Sequence, residues 1–293
     1  MINDSIVRTQ HILSDHIDAN RTELLEKLDR FAAILEKYVS QGAIIAFSGG
    51  VDSAFLVWAA KKISEQIGGR ILALTTQSAS TPDADLKDAV QFAKNLGVMH
   101  RIEKSNEFND PRYLVNDDQR CYYCKSELFR ITSDIALSDE YRWVLYGYNA
   151  SDQGDFRPGH RAAIEHKVAA PLFEAGLDKT EIREVLRANK IELAEKPASP
   201  CLSSRIMTGI RIADRHLEAV AVMEGLLREA RCRVYRVRLC QTGEDYFLRI
   251  ETHPDEFSTV LSIKEKLVAE GRKRGYRWVV LDLEGYKTGG GNL

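Results

Sequence analysis

No apolar run in the 293 residues approaches the roughly 20 that a bilayer-spanning helix needs. The first residues, MINDSIVRTQHILSDHIDANRTELLEKL, hold neither a basic stretch nor an apolar segment behind one. A secretory leader and a membrane anchor are therefore not expected, and the expected compartment is the cytoplasm. An excess of one charge is missing too: 41 Lys and Arg stand against 43 Asp and Glu, a net charge of -2. Proteins that bind nucleic acid through many phosphate contacts carry a clear basic excess, so nucleic acid is not an expected partner, while small anionic ligands stay open. The five cysteines are an odd number and do not suggest a disulfide framework in a reducing compartment. The seven histidines show no H-x-x-x-H spacing, and none is read as catalytic. Internal repeats and low-complexity tracts are also absent.

What is present is an ordinary globular composition, 44% hydrophobic and 29% charged, in a chain long enough for one large domain and one smaller one. Residues 22–38 place Leu24, Leu25, Leu28, Phe31, Ile34, Leu35 and Tyr38 at helical spacing. An apolar run, 42–47, then leads through Ser48-Gly49-Gly50 into a helix-like segment, 54–67. A second buried strand is expected over 71–75, a helix over 83–96 and another over 126–137, a strand over 143–146 and a helix over 179–189. Strands alternating with helices imply a parallel sheet covered on both faces, with ligands bound beyond the carboxyl ends of its strands. The loops to inspect are thus 48–53, 76–82 and 147–159. The proline-rich stretch 196–204 marks a loop, and the domain boundary is placed at 205/206. Beyond it, helices over 213–230 and 254–271, hairpin strands over 235–239 and 246–251, and a strand over 278–283 describe a small α+β domain.

Ser48-Gly49-Gly50-Val51-Asp52-Ser53 lies where glycines let the backbone approach an anion and the amides of a helix N-terminus point at it. It is not a Walker A loop, since no lysine occurs between Ser48 and Ala60. The string resembles the PP-loop of the ATP pyrophosphatases, whose fold is adenine nucleotide α-hydrolase-like and Rossmann-like, and which grip pyrophosphate as AMP is transferred. That resemblance implies ATP and Mg2+, with the phosphates held by Ser48, Gly49, Gly50, Val51 and Ser53 and with Asp52 orienting the loop or the magnesium. Thr75, at the end of the second strand, and Asn149, Asp152 and Arg157, in the loop after a later one, are further candidates for the nucleotide.

Cys121-Tyr-Tyr-Cys124 opens an expected helix between Arg120 and Lys125, and Cys201 follows a proline. Three thiolates brought together either carry sulfur or hold an iron–sulfur cluster, whereas a structural zinc site takes four ligands. Cys232 and Cys240 lie in the second domain and read as packing residues.

The stretches Ser199-Pro-Cys-Leu-Ser-Ser-Arg-Ile206, Arg120-Cys-Tyr-Tyr-Cys-Lys-Ser-Glu-Leu-Phe129 and Gly147-Tyr-Asn-Ala-Ser-Asp-Gln-Gly-Asp-Phe-Arg-Pro-Gly159 resemble the LarE family, as do Pro171-Leu-Phe-Glu-Ala-Gly176 and Leu281-Asp-Leu-Glu-Gly-Tyr286. These are ATP-dependent sulfur transferases that help make the nickel-pincer nucleotide cofactor of lactate racemase. The resemblance implies adenylation of the carboxylates of pyridinium-3,5-biscarboxylic acid mononucleotide, followed by sulfur attack to give thiocarboxylates. Members with one cysteine matching Cys201 sacrifice its sulfur, whereas members that also match Cys121 and Cys124 hold a 4Fe-4S cluster. Here the cluster is favoured, and the alternative of Cys201 as donor stays open. The resemblance further implies that Ser204, Arg205, Arg236 and Arg238 receive the substrate's phosphate. Glu224 and Asp255 match acidic positions bordering the family's active site, although either also reads as a surface carboxylate. A homo-oligomer, trimer or hexamer, is implied, along with a sulfur donor and a nickel-inserting protein as partners. Two other readings remain at this point, a tRNA-thiolating PP-loop enzyme and a non-catalytic nucleotide or iron–sulfur binding module.

Overall fold

A computed structural model describes residues 12–153, 158–197 and 199–287. The chain packs as two compact units. The first comprises residues 1–77, 83–106 and 121–199, and the second comprises 78–82, 107–120 and 200–293.

The first unit contains α1 (Thr22–Val39), β1 (Ala43–Ala46), α2 (Val51–Ile67), β2 (Ile71–Gln77), α3 (Asp83–Leu96), β3 (His100–Lys104), α4 (Arg120–Ser138, from its second residue), β4 (Trp143–Tyr146), α5 (Pro158–Glu165), α6 (Pro171–Ala175) and α7 (Lys179–Ala188). Its four strands are all parallel, in the order β3-β2-β1-β4. Strand β1 is apolar throughout because it is covered on both faces. Ala43 and Ile45 join the core built by α1 and α2, where Phe31 stacks on Phe55, while Ile44 and Ala46 join the opposite core with Leu128, Phe129 and Ile135 of α4. The chain runs from β1 outward to β2 and β3 on one side and later places β4 on the other, so β1 and β4 flank the switch point. The observed α/β architecture is the one read from the alternating pattern. Strand β3 escaped that reading: its sequence, HRIEK, is an edge strand with two of five residues half-buried and none buried, which removes the hydrophobic signal.

The second unit holds α8 (Asp214–Glu229), β5 (Tyr235–Thr242), β6 (Asp245–Thr252), α9 (Phe257–Ser262), α10 (Lys264–Lys273) and β7 (Val279–Leu281). Its small mixed sheet pairs β5 and β6 antiparallel and β6 and β7 parallel. The single helix expected over 254–271 is instead a 3-10 turn followed by two helices, broken at Ile263, whose φ of -110° and ψ of 13° leave the helical region.

The larger unit ends at Ser199 rather than at Arg205, and the smaller one draws in two short segments from earlier in the chain. Hydrogen bonding explains this. The amide of Asn116 donates to the carbonyls of Met207 and Ile210 at 2.9 Å, the Tyr113 hydroxyl meets the Ser203 hydroxyl at 2.7 Å, and Arg120 donates to the Ser203 carbonyl at 2.9 Å. Leu202 N–H also donates to the Ser80 carbonyl. Such long-range pairing leaves no mark in local composition. Among the described residues, no helix is long and apolar enough to cross a membrane.

Candidate active site

In the first unit, β1 delivers the chain into a tight turn. Gly49 has a φ of 71°, a conformation that L side chains rarely adopt, and a Cβ there would stand 3.0 Å from the Asp85 carbonyl and 3.1 Å from the Ala89 methyl group on α3. Ser53 Oγ donates to the Gly50 carbonyl at 3.0 Å and meets Ser48 Oγ at 3.2 Å, which closes the turn on itself. Gly50 caps α2 without a side chain, so the first amides of this 17-residue helix are left for an anion. Thr75 is buried and donates to the Phe47 carbonyl at 2.6 Å, fixing the backbone just before the turn.

Beyond β4, Gly147 presses against the same turn: a Cβ there would lie 2.9 Å from Ser53 N. Asn149 and Asp152 follow in a capped 3-10 turn, in which Asn149 Oδ1 accepts from Ser151 N–H at 2.9 Å. Among the described residues, two buried polar atoms here lack hydrogen-bond partners, Asp52 Oδ1 and Asn149 Nδ2. Burial raises the Asp52 carboxyl above its usual range, Lys179 opposes that shift, and Asp152 adds to it. Lys179 Nζ stands 3.5 Å from Asp52 Oδ2, at the start of α7. This lysine supplies a cation that the loop's own sequence lacks, and only the fold brings it there. Its signal in the sequence was faint, an Asp178 capping box marking where α7 begins. Asp52 and Asp152 are hard oxygen donors, and the charge of Asp152 raises the proton affinity of Asp52; such a donor set suits Mg2+ bound through one or two carboxylates plus phosphate. Arg157 lies outside the described residues.

The Asp52 shift has a testable sign. A carboxyl raised by burial holds its proton longer in the folded chain than in the unfolded one, so stability falls as pH rises from the unfolded value of 3.8 through the folded value and stays reduced above it. Asp52→Asn is expected to raise the melting temperature of the ligand-free chain at pH 7.5 while weakening Mg-dependent ATP binding. A calorimetric melt and a titration with Mg·ATP check both halves.

Cys121 and Cys124 stand one turn apart near the start of α4, exposed and half-buried respectively. Three residues apart on a helix, they share a face. Cys201 belongs to the second unit, half-buried at the cap of a 3-10 turn over Leu202–Arg205. Among the described residues, no group of three or more His, Cys, Asp or Glu side chains that could hold a metal ion is found. Cys232 and Cys240 are buried, and burial pushes both thiols up, the opposite of what a nucleophile needs.

Around Cys201 the second unit builds a charged scaffold. Arg205, only 2% exposed, holds Glu224 through two bonds at 3.0 and 3.2 Å, and also donates to the carbonyls of Pro200 and Cys201. Ser204 Oγ donates to the Cys201 carbonyl at 2.7 Å. Arg238 is buried too, donating to Glu251 at 2.7 Å and to the Ser204 carbonyl at 3.2 Å. The expected substrate arginines Arg205 and Arg238 are thus bound to internal carboxylates. Arg236 lies half-buried over the Tyr286 ring, and its proton affinity is lowered by burial and by the charges of Arg205 and Arg238. Val237 intervenes at 0% exposure, as the alternation of strand β5 requires. Glu224 is therefore interior, whereas Asp255 is an exposed carboxylate beside His253.

Comparison with known proteins bears on this arrangement. The family described as "NAD synthase" matches residues 24–109, which include the turn and β2. "Uncharacterized protein slr1717" of Synechocystis sp. is 37% identical over 268 residues, covering 90% of this chain and 95% of that protein. The "Pyridinium-3,5-bisthiocarboxylic acid mononucleotide synthase" of Lactiplantibacillus plantarum is 27% identical over 251 residues, covering 85% and 88%. An "NH(3)-dependent NAD(+) synthetase" of Archaeoglobus fulgidus is 23% identical over 180 residues, 60% of this chain and 68% of its own. With its turn at the β1/β4 switch point and these similarities, the chain belongs to one family with the Synechocystis protein and carries, over residues 24–109, the NAD synthase-like PP-loop of ATP-using enzymes.

Proposed function

We propose that the protein is an ATP-dependent sulfur transferase that adenylates the carboxylates of pyridinium-3,5-biscarboxylic acid mononucleotide and converts them to thiocarboxylates. The observation that carries this reading is the pairing of a PP-loop with the well-anchored Cys201, in a chain similar along most of its length to a protein named for making the bis-thiocarboxylate.

The turn Ser48–Ser53 and the α2 amides hold the phosphates of ATP, and Lys179 shifts from Asp52 toward them as they arrive. Asp52 and Asp152 would hold Mg2+, which neutralises charge on the leaving pyrophosphate. The substrate carboxylate attacks the α-phosphorus, and the P–O bond to pyrophosphate breaks. AMP then serves as a leaving group that a carboxylate oxygen cannot be. Sulfur attacks the acyl carbon, the C–O bond to AMP breaks, and a thiocarboxylate results.

Cys121, Cys124 and Cys201 would be the thiolate donors of a 4Fe-4S cluster, as the three cysteines are in the similar family members that match all of them. When bound, a cluster held by those three thiolates would supply exchangeable sulfide for the transfer. Arg236, beside Arg205 and Arg238, offers the substrate's phosphate a cation.

Anaerobic iron and sulfide determination with visible spectroscopy tests the sulfur source. About four irons per chain are expected in the wild type, the usual content of such a cluster, and their loss is expected in Cys121→Ala. Iron absent from both proteins would leave Cys201 as a sacrificial donor, and the chain would then emerge from one turnover lighter by one hydrogen sulfide. Release of pyrophosphate that no pyridinium carboxylate stimulates would overturn the substrate.

A further inference from the structure

His160 lies on α5 and joins the group of side chains at the carboxyl end of β4. Its Nδ1 meets the Tyr146 hydroxyl at 2.5 Å, and its ring lies nearly parallel to Tyr148, with centroids 4.1 Å apart and planes 6° from parallel. Tyr148 in turn donates to the Asp152 carbonyl at 3.1 Å and packs on Phe173. The imidazole is therefore held on one edge and one face. Tyr146 pairs in register with Ala46, two residues before the phosphate turn, and Gly147 touches that turn directly. The charge of Asp152 raises the proton affinity of Asp52, of Tyr146 and of His160.

The tautomer follows from counting protons. Burial raises Tyr146, so its phenol keeps its hydrogen, and Nδ1 is the acceptor within reach among the described residues. Were Nδ1 to carry the hydrogen instead, the phenol would lose that acceptor. Tyr146 therefore donates, and the imidazole hydrogen sits on Nε2. Among the described residues, Nε2 makes no hydrogen bond.

We propose that His160, oriented by Tyr146 and Tyr148, uses its Nε2–H as a neutral hydrogen-bond donor to an anionic oxygen of the nucleotide bound at this end of the sheet. The inference rests on nucleotide binding at the PP-loop, not on the identity of the sulfur acceptor. Neutrality is part of the design, because a neutral donor recognises the anion equally across the physiological pH range. Burial lowers the proton affinity of His160, and Asp152 opposes that. Among the described residues, Tyr146 and Tyr148 and, on α4 beside Gly159, Lys125 and Cys121 are further ionisable groups near it.

The test is calorimetric titration with Mg·ATP of the full chain and of three variants between pH 6.5 and 8. His160→Phe keeps the stack on Tyr148 and loses the donor, and an affinity loss of about tenfold or more is expected, the size of a hydrogen bond to a charged group. His160→Gln places an amide N–H near the Nε2 position and should stay within a few-fold of wild type. Tyr146→Phe frees the tautomer and should weaken binding by an intermediate factor. Wild-type affinity should change little over this pH range. If His160→Phe binds as wild type, or if wild-type affinity climbs as pH falls while that of His160→Phe does not, the neutral-donor role is overturned. A wild-type chain that binds no Mg·ATP would sink the nucleotide site itself, and the inference with it.

Discussion

Cys201→Ser is expected to abolish thiocarboxylate formation, by roughly a thousandfold or more, as removal of a group that acts covalently or as a required ligand does. The same variant should retain ATP–pyrophosphate exchange in the presence of the pyridinium substrate. The separation follows from where the chemistry resides. In the proposed reaction adenylation rests on the turn Ser48–Ser53, Asp52 and Lys179, all in the first unit, whereas Cys201 belongs to the second. Serine preserves the backbone geometry, since the contacts that hold this residue are made to its carbonyl, from Ser204 Oγ and from Arg205. If pyrophosphate exchange falls together with sulfur transfer, Cys201 is acting on the first half-reaction and its assignment fails. Cys121→Ala should give the same split, accompanied by loss of iron.

Arg205→Met is expected to lower stability by about 3–5 kcal/mol, because removing one partner of a buried ion pair leaves the other charge uncompensated. Glu224 would keep the Val237 N–H at 3.1 Å as a hydrogen-bond donor but lose both guanidinium bonds. The carbonyls of Pro200 and Cys201 would lose their donor as well, so the loop carrying the sulfur residue should loosen. Urea unfolding measures the loss, and the double variant Arg205→Met with Glu224→Leu should recover most of it. A residue whose only task was to bind substrate phosphate would behave differently: Arg205→Met would then raise the substrate requirement and leave the unfolding midpoint in place. Arg236, half-buried over the Tyr286 ring, is the arginine whose replacement should act mainly on substrate affinity.

The phosphate turn and the arginine cluster differed in how readable they were. The phosphate turn was legible because its determinants are local: a buried strand, two glycines, and a helix start within a dozen residues. Gly49 could be singled out from the string alone, and the structure adds that its φ and its closeness to α3 both demand glycine. The arginines were harder. Alternation placed Arg236 and Arg238 on one side of β5, yet no alternation rule reveals that Glu251 sits across the hairpin from Arg236 while its carboxylate reaches Arg238. Nor does spacing reveal Lys179, His160 or Tyr146, each of which reaches its partner from a different element.

The sequence by itself determined the alternating strands and helices, the phosphate turn and the three candidate sulfur residues, because periodicity, glycine content and cysteine spacing are properties of neighbours along the chain. Only the tertiary structure decided that Lys179 meets Asp52, that the Tyr146 hydroxyl meets His160 Nδ1, that Arg205 anchors the Cys201 backbone, and that residues 107–120 fold with residues 200–293. The reason is physical. Buried charges and polar groups must find partners wherever the packed elements present them, and that pairing is settled by proximity in space rather than by order in sequence.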